Sequence, residues 1–328
     1  MVNTNSLNLS PSSLSSPSAH LYVRMSPDPD PVQPPTDIWN KTYFKSDWLN
    51  LSWSPWVPFS AAKEEFRFIP KDPGLYRIRP AGKEFLMYIG ETRRTVHERI
   101  NELRQTLKRK DLMPWNDPHT AAPSLWVWQD AEGYEYECSA TPLDASQNAR
   151  RGMESFLLYR YRQEFGESTL CNFGRFHPRY RKSTNRSEDR RGGKLEEINL
   201  DNPAGGPCIA PLPIVGNPGE PGWMGLSWSA GNPLDAEHIR AVPPGAGLYF
   251  LTDVGSQEII YIGQSNNCQN RLLEHKRKSW DEKGLVFSYH PMKEPVPSHN
   301  LKELESDLIG NYFEAYRKAP AFQFKNQQ

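Results

Sequence analysis

The spacing of apolar and polar residues follows the same succession in two separate stretches of the chain. In each stretch a pattern typical of two β-strands is followed by one typical of an α-helix. In the first stretch, Leu75 to Ile78 and Phe85 to Ile89 predict two short strands joined by a turn at 80–83. Thr95 and Glu98 form a capping-box pattern, which predicts the start of a helix. The apolar stripe of that helix consists of Val96, Ile100, Leu103 and Leu107.

The second stretch repeats this succession. Leu248 to Thr252 and Glu258 to Ile262 predict two strands around a turn at 253–256, and Ser265 is the expected cap of the next helix. A third strand is predicted near Leu125 to Trp128 and near Val286 to Tyr289. The last predicted helices carry apolar residues at helical spacing, namely Met153, Leu157, Tyr161 and Phe165 in the first stretch and Leu304, Leu308 and Tyr312 in the second.

Four short motifs occur twice and in the same order. They are Leu-Ser-Trp-Ser (from Leu51 and Leu226), Gly-Leu-Tyr (ending at Tyr76 and Tyr249), Tyr-Ile-Gly (from Tyr88 and Tyr261) and Glu-Ser (from Glu154 and Glu305). The second and third motifs place their tyrosines 12 residues apart in both copies. Ordered matches with one identical spacing indicate a tandem duplication of one domain.

Two stretches poor in apolar residues divide the chain. Residues 1–40 are rich in Ser and Pro, which predicts a disordered tail. Residues 181–222 are basic at first and then rich in Pro and Gly, which is typical of a linker. The segments 41–180 and 223–328 are therefore expected to be the two domains.

Composition adds a difference between the halves. The 328 residues are 37% hydrophobic, enough for a folded core, and 39 basic residues balance 39 acidic ones. Residues 41–194 carry a balance of +7, whereas residues 195–328 carry −5. A positive surface attracts phosphate backbones, so the first half is the better candidate for holding nucleic acid, although a solvated surface has the same composition.

Several classes of protein are excluded by what the sequence lacks. No apolar run approaches the roughly 18 residues of a membrane span, and the first residues show no secretory signal pattern. The four cysteines are far apart, which argues against a zinc finger and against a disulfide framework. A cytoplasmic protein with reduced thiols, and without a membrane partner, is expected.

The repeated motifs resemble those of the GIY-YIG nuclease family: Gly-x-Tyr, then Tyr-x-Gly, an arginine in the next helix and a glutamate in a later helix. In the second copy, Arg271 follows Gly263 by eight residues and His275 comes one helical turn later. In the first copy, Arg99 takes this place, nine residues after Gly90. The late glutamates are Glu154 and Glu305, and the family's terminal asparagine is matched by Asn172 and by Gln323.

The resemblance implies an α+β fold of two tandem GIY-YIG-like domains, each a small three-stranded antiparallel sheet flanked by helices. It also implies a DNA endonuclease that hydrolyses phosphodiester bonds with Mg²⁺ or Mn²⁺, of a restriction or defence type. The catalytic set carried over comprises Tyr76, Tyr88, Arg99, Glu154 and Asn172 in the first copy, and Tyr249, Tyr261, Arg271, His275 and Glu305 in the second. Glu154 and Glu305 are the metal ligands in this interpretation.

The chemistry of these residues agrees with that role. A free tyrosine has a pKa near 10 and needs a neighbouring cation or a metal ion to act as a base, which Tyr76 or Tyr249 would do here. Arg99 or Arg271 supplies a cation and can also stabilise charge on a scissile phosphate. His275 is either a partner of the base, a phosphate ligand or a surface residue, and the first copy has Leu103 in its place.

A run of basic residues follows Asn172 and includes Arg175, Arg179, Arg181 and Lys182, interleaved with aromatic residues. It predicts a groove for the nucleic-acid backbone beside the first site, or else a charged linker. No separate DNA-reading motif is present, so the loop at 108–123 is expected to set specificity.

Two functions remain open at this point. Two active sites in one chain would let a monomer cut both DNA strands, and either copy or both could be the catalyst. The alternative is a nucleic-acid-binding protein in which one or both nuclease-like copies are catalytically silent.

Overall fold

The computed structural model of the protein describes residues 41–109, 121–183, 192–196, 202–281, 284–293 and 295–325. These residues form helices and antiparallel sheets, an α+β fold, as expected from the sequence. The predicted tail at 1–40 and most of the loop at 108–123 lie outside the described residues.

The first half builds one four-stranded sheet. Its elements are β1 (Val57–Pro58), α1 (Lys63–Phe66), β2 (Gly74–Pro80), β3 (Tyr88–Thr92), α2 (Val96–Leu107), α3 (Ala122–Glu132), β4 (Tyr136–Pro142) and α4 (Gln147–Phe165). The strands lie in the order β1-β4-β2-β3, and all neighbours are antiparallel. Farther along the chain, two strands of two residues each pair antiparallel: β5 (Tyr180–Arg181) and β6 (Gly193–Lys194).

The second half has the same topology. Its elements are β7 (Asn232–Pro233), α5 (Ala236–Arg240), β8 (Gly247–Asp253), β9 (Ile259–Ser265), α6 (Cys268–Lys276), β10 (Leu285–Pro291) and α7 (Ser298–Tyr316). The strand order β7-β10-β8-β9 matches that of the first sheet, strand for strand. Two sequence stretches with the same motifs thus fold into two sheets with the same strand order, while α3 of the first half has no counterpart among the described residues between β9 and β10.

Each sheet has four strands, so the expectation of three strands per copy was wrong. The additional strands, β1 and β7, are two residues long and lie at the sheet edges, where β1 pairs with β4 and β7 with β10. Each ends in a proline, which cannot donate a ladder hydrogen bond and is tolerated at an edge. Two residues are too few to show an alternating pattern in the sequence.

The predicted strand at Leu125 to Trp128 was also wrong, because these residues lie in helix α3. Pro123 stands in the first turn and Gly133 ends the helix with a φ of 68°, two features typical of helix ends. The strand that follows β2 and β3 in this half is β4, which comes after α3 in the chain. Leu125 and Val127 are both fully buried, and such short apolar runs do not distinguish a strand from a buried helix.

Local structure confirms one predicted helix cap and corrects the other. The side chain of Thr95 accepts a hydrogen bond from the backbone N–H of Glu98, as the capping box requires. In the second half the cap of α6 is Asn267, whose side chain accepts from Asn270. Ser265 does not cap the helix itself; its hydroxyl oxygen accepts a hydrogen bond from the backbone N–H of the cap residue Asn267.

The Leu-Ser-Trp-Ser motif brings each half into the same conformation before its first strand. The indole of Trp53 donates to the carbonyl of Trp48, and that of Trp228 donates to the carbonyl of Trp223 at nearly the same distance. The serine after each tryptophan both donates hydrogen bonds to and accepts them from a strand of its own sheet, β4 in the first half and β10 in the second. The duplication therefore extends beyond the four strands.

Helices α4 and α7 pack antiparallel against each other and join the halves. The guanidinium of Arg162 donates to both carboxylate oxygens of Asp307, at 2.7 and 3.0 Å, and both side chains are fully buried. Tyr159 lies against Gly310, where a Cβ would strike its ring. These two residues are equivalent in the repeat, so they mark a local twofold relation between the copies.

None of the helices in the described part of the chain combines the length and the apolar character needed to cross a membrane.

Candidate functional site

Two tyrosines stack across a glycine at the same place in each sheet. Tyr76 on β2 and Tyr88 on β3 have ring centroids 5.8 Å apart, and Tyr76 is opposite Gly90 in the ladder. A Cβ at Gly90 would lie 2.5 Å from the Tyr88 ring and 2.7 Å from the Tyr76 hydroxyl. In the second half Tyr249 and Tyr261 stack at 6.2 Å in the same manner. The glycine of Tyr-Ile-Gly is needed because the tyrosine rings occupy its side-chain space.

An arginine from the following helix reaches the tyrosine hydroxyls in both halves. Nε of Arg99 on α2 donates to the Tyr76 hydroxyl at 3.3 Å. Arg271 on α6 is close enough to Tyr249 and Tyr261 to lower the pKa of both hydroxyls, and its guanidinium forms an ion pair with Glu274 at 2.7 Å. Burial raises the pKa of Tyr76 and of Tyr249, and the arginine in each site opposes that rise. At neutral pH both hydroxyls therefore keep their protons.

A glutamate from the last helix approaches the end of the second strand. The carboxyl of Glu154 on α4 lies close enough to the backbone N–H of Glu91 for that N–H to lower its pKa, and Glu305 on α7 has the same relation to the equivalent N–H of Gln264. Burial, together with the nearby Glu91, raises the pKa of Glu154 to about 8. Burial raises the pKa of Glu305 to about 7. Both carboxyls share a site with an arginine, Arg99 or Arg271, that lowers these values.

Glu91 is a member of the first site that the sequence analysis did not identify. It forms ion pairs with Arg150 and Arg151 at 3.5 and 3.6 Å, and its side chain is 10% exposed. The sequence feature that could have identified Glu91 is its position directly after the glycine of Tyr-Ile-Gly. The second half has Gln264 there, so the first site contains two carboxyl groups and the second contains one.

His275 distinguishes the second site. Its Nε2 lies 2.7 Å from the Tyr249 hydroxyl, and its ring contacts Tyr261 and Trp280. The side chain is fully buried, which lowers the pKa of His275 to about 3, and Lys278 and Arg271 contribute to that lowering. The imidazole is thus neutral, which makes Nε2 able to accept the hydroxyl proton when Nδ1 carries the ring proton.

Asn172 is a positioning residue for the strand that carries the motif. Its side-chain amide accepts from the N–H of Ile89 at 3.0 Å and donates to the carbonyl of the same residue at 2.8 Å. Gln323 makes the same two hydrogen bonds to Ile262, each at 2.8 Å. Both side-chain amides thus pair with backbone N–H and carbonyl groups on the unpaired edge of β3 or β9. These hydrogen bonds do not involve the tyrosine side chains.

The four basic residues predicted to bind nucleic acid are divided by the structure. Arg175 and Lys182 line one cavity together with Tyr88. Arg179 forms an ion pair with Glu132 on α3 at 3.1 Å and is not among the residues that line that cavity. Arg181 lies in β5 and is exposed.

The donors of each site suit a hard divalent cation. Mg²⁺ prefers oxygen ligands and is often held by one or two carboxylates with substrate phosphate and water. In the first site Oε2 of Glu91 is buried, and it lies 3.5 Å from Nε of Arg150 in an ion pair without a hydrogen bond to any described residue. No group of three or more His, Cys, Asp or Glu suited to a metal occurs within the described ranges. A metal bound by Glu154 or Glu305 would therefore share its coordination with a substrate.

No family model, no curated protein and no solved structure matches the chain.

Proposed function

We propose that the protein is a divalent-metal-dependent DNA endonuclease of the GIY-YIG type, with one candidate site in each of two tandem domains. The observation that carries the proposal is that one constellation occurs twice: stacked tyrosines, an arginine near their hydroxyls, and a glutamate near the backbone N–H that follows the motif glycine.

Each side chain has a part in phosphodiester hydrolysis under this proposal. Arg99 and Arg271 hold the scissile phosphate and stabilise the charge that develops on it. Glu154 and Glu305 bind the metal ion, which would supply charge neutralisation at the phosphate and a lower pKa for bound water. The tyrosine hydroxyls orient the attacking water. Asn172 and Gln323 keep the strand that carries Tyr88 or Tyr261 in place.

The second site offers a defined path for a proton. The Tyr249 hydroxyl accepts a proton from the attacking water as it gives its own proton to Nε2 of His275, 2.7 Å away. This transfer avoids a buried Tyr249 phenolate, which the raised pKa of Tyr249 disfavours, and the negative charge of the bound phosphate would stabilise the imidazolium that forms, which burial, Lys278 and Arg271 disfavour in the free protein. The first site has Leu103 in place of the histidine, so there Arg99 is the residue that assists Tyr76.

The test uses supercoiled plasmid and the full chain with Mg²⁺ or Mn²⁺, with and without EDTA. We expect the wild type to cut the plasmid in a metal-dependent way and the double variant Glu154→Ala/Glu305→Ala to be inactive. Glu167→Ala is the matched control, because Glu167 is an exposed glutamate just beyond α4. Cutting by the double variant at the wild-type rate would overturn the proposal.

The second candidate function is a nucleic-acid-binding protein in which one copy is silent. It is favoured by the asymmetry of the sites, since Glu91 and His275 each occur in one half and not in the other. Absence of metal-dependent cutting across modified and unmodified DNAs, with retained DNA binding, would select this function.

A further inference from the structure

A cavity of about 330 Å³ lies where the first half meets α7 of the second half. Three cationic side chains line it: Arg175 from the loop after α4, Lys182 from the segment after β5, and Lys302 from α7. None of the described residues that line the cavity is acidic. Three separate elements thus bring positive charge to one place.

The two lysines converge on Gly174. A Cβ built on this residue would lie 3.6 Å from Nζ of Lys182 and 3.6 Å from Nζ of Lys302, so the two ammonium groups are no more than twice that distance apart. Gly174 has a φ of 85°, a conformation that favours glycine, and it leaves the space between the ammonium groups empty of side chain. Like charges held this close repel each other unless an anion lies between them.

The surroundings support an anion as the occupant. Partial burial and the neighbouring Lys302 lower the pKa of Lys182, as expected for a cation held beside another cation. Both lysine residues nevertheless keep exposed surface, so an ion can reach them from solvent. Neither lysine has an ion pair with any described carboxylate.

The cavity is in contact with the first candidate site, and one of its lysines is close to the second. Tyr88, one of the stacked tyrosines of the first site, is part of its wall. Lys302 precedes Glu305 of the second site by three residues on α7 and is close enough to lower the pKa of that carboxyl. A group bound here would be adjacent to both sites.

We propose that Arg175, Lys182 and Lys302 bind a phosphate group in this cavity. A phosphate offers several oxygen acceptors to a guanidinium and two ammonium groups, which matches the donors present. The phosphate belongs either to a DNA backbone that passes between the sites or to a small free anion. The first source rests on the proposed function, and the second does not.

The test measures binding without cleavage. The full chain in EDTA is titrated with a labelled single-stranded oligodeoxynucleotide, by fluorescence anisotropy, and with inorganic phosphate, by calorimetry. Lys182→Ala and Lys302→Ala are compared with wild type and with Lys318→Ala. Lys318 is the matched control, because it is an exposed lysine beyond the opposite end of α7 and pairs with Glu258.

We expect each cavity variant to weaken binding at least about tenfold, since a hydrogen bond to a charged group is removed, and Lys318→Ala to bind like wild type. Lys302→Arg should recover most of the affinity. Weakened binding of the oligonucleotide identifies a nucleic-acid backbone as the source, and weakened binding of inorganic phosphate alone identifies a small anion. Wild-type affinity in both cavity variants, or no binding of either probe by the wild type, would overturn the proposal.

The outcome is separable from that of the proposed function. If the Glu154→Ala/Glu305→Ala variant still binds the oligonucleotide but no form of the protein cuts DNA, the phosphate site stands and the nuclease proposal fails. If the cavity variants cut DNA at the wild-type rate and bind both the oligonucleotide and inorganic phosphate with wild-type affinity, the nuclease proposal stands and the phosphate site fails. Both cavity lysines are solvent-accessible, and thermal melting of each variant verifies that it is folded.

Discussion

The hydroxyl of Tyr249 and Nε2 of His275 lie 2.7 Å apart in the interior of the second half. Nδ1 of the same imidazole is buried and has no hydrogen-bond partner among the described residues. An unsatisfied buried polar atom costs about 1–3 kcal/mol. The proposed function gives this buried imidazole a role, as the acceptor of the Tyr249 hydroxyl proton.

His275→Leu gives this position the residue type that the first half carries at Leu103. We expect cleavage by the second site to fall about 100-fold, the lower range of general acid–base effects, while the free energy of unfolding is unchanged or higher. The rate is measured in a Glu154→Ala background, so that only the second site contributes. Equal rates with and without the His275→Leu substitution in that background would contradict a role for the imidazole in proton transfer.

Gly90→Ala tests the packing of the tyrosine pair. The added methyl group would lie inside contact distance of both tyrosine rings, and the rings cannot move freely because Tyr76 is buried. We expect a loss of about 1–3 kcal/mol in the free energy of unfolding, typical of overpacking, and a loss of cleavage by the first site. Gly193→Ala is the control, since no atom lies within 4 Å of a Cβ built there. Urea unfolding measures the free energy of unfolding of both variants, and equal values for Gly90→Ala and Gly193→Ala would contradict the prediction.

The raised pKa of Glu154 predicts how stability changes with pH in the metal-free protein. The unfolded chain loses this proton near 4.5, whereas the folded chain keeps it until about pH 8. The folded state therefore binds more protons in this interval, and its stability contribution, full below about pH 4.5, is lost as pH rises to about 8. In Glu154→Gln this part of the pH dependence should be absent from denaturant unfolding curves. An unchanged pH profile in the variant would show that another group titrates.

The buried ion pair between Arg162 and Asp307 predicts that the two halves unfold together. Arg162→Met leaves the Asp307 carboxylate without its cation, and breaking a buried pair in this way costs about 3–5 kcal/mol. Adding Asp307→Asn should recover part of the loss, because the amide oxygen still accepts from the N–H of Leu212. Two separate unfolding transitions in the wild type would contradict the coupling.

Some elements were predictable because their signal is local. The strands at β2 and β8 and the cap at Thr95 follow from short-range pattern and were confirmed. Helix α3 was mistaken for a strand because an apolar run buried on all sides carries no periodicity. Glu91 was missed because its role depends on α4 packing against β3. Lys302 was missed for a similar reason, since its partners come from the other half.

The most direct test of two active sites compares the single variants Glu154→Ala and Glu305→Ala on supercoiled plasmid with Mg²⁺. Two sites that each cut one strand predict that the wild type produces linear DNA and that each single variant produces mainly nicked circles. Linear DNA from one single variant and no cutting by the other would contradict two active sites and leave one catalytic copy.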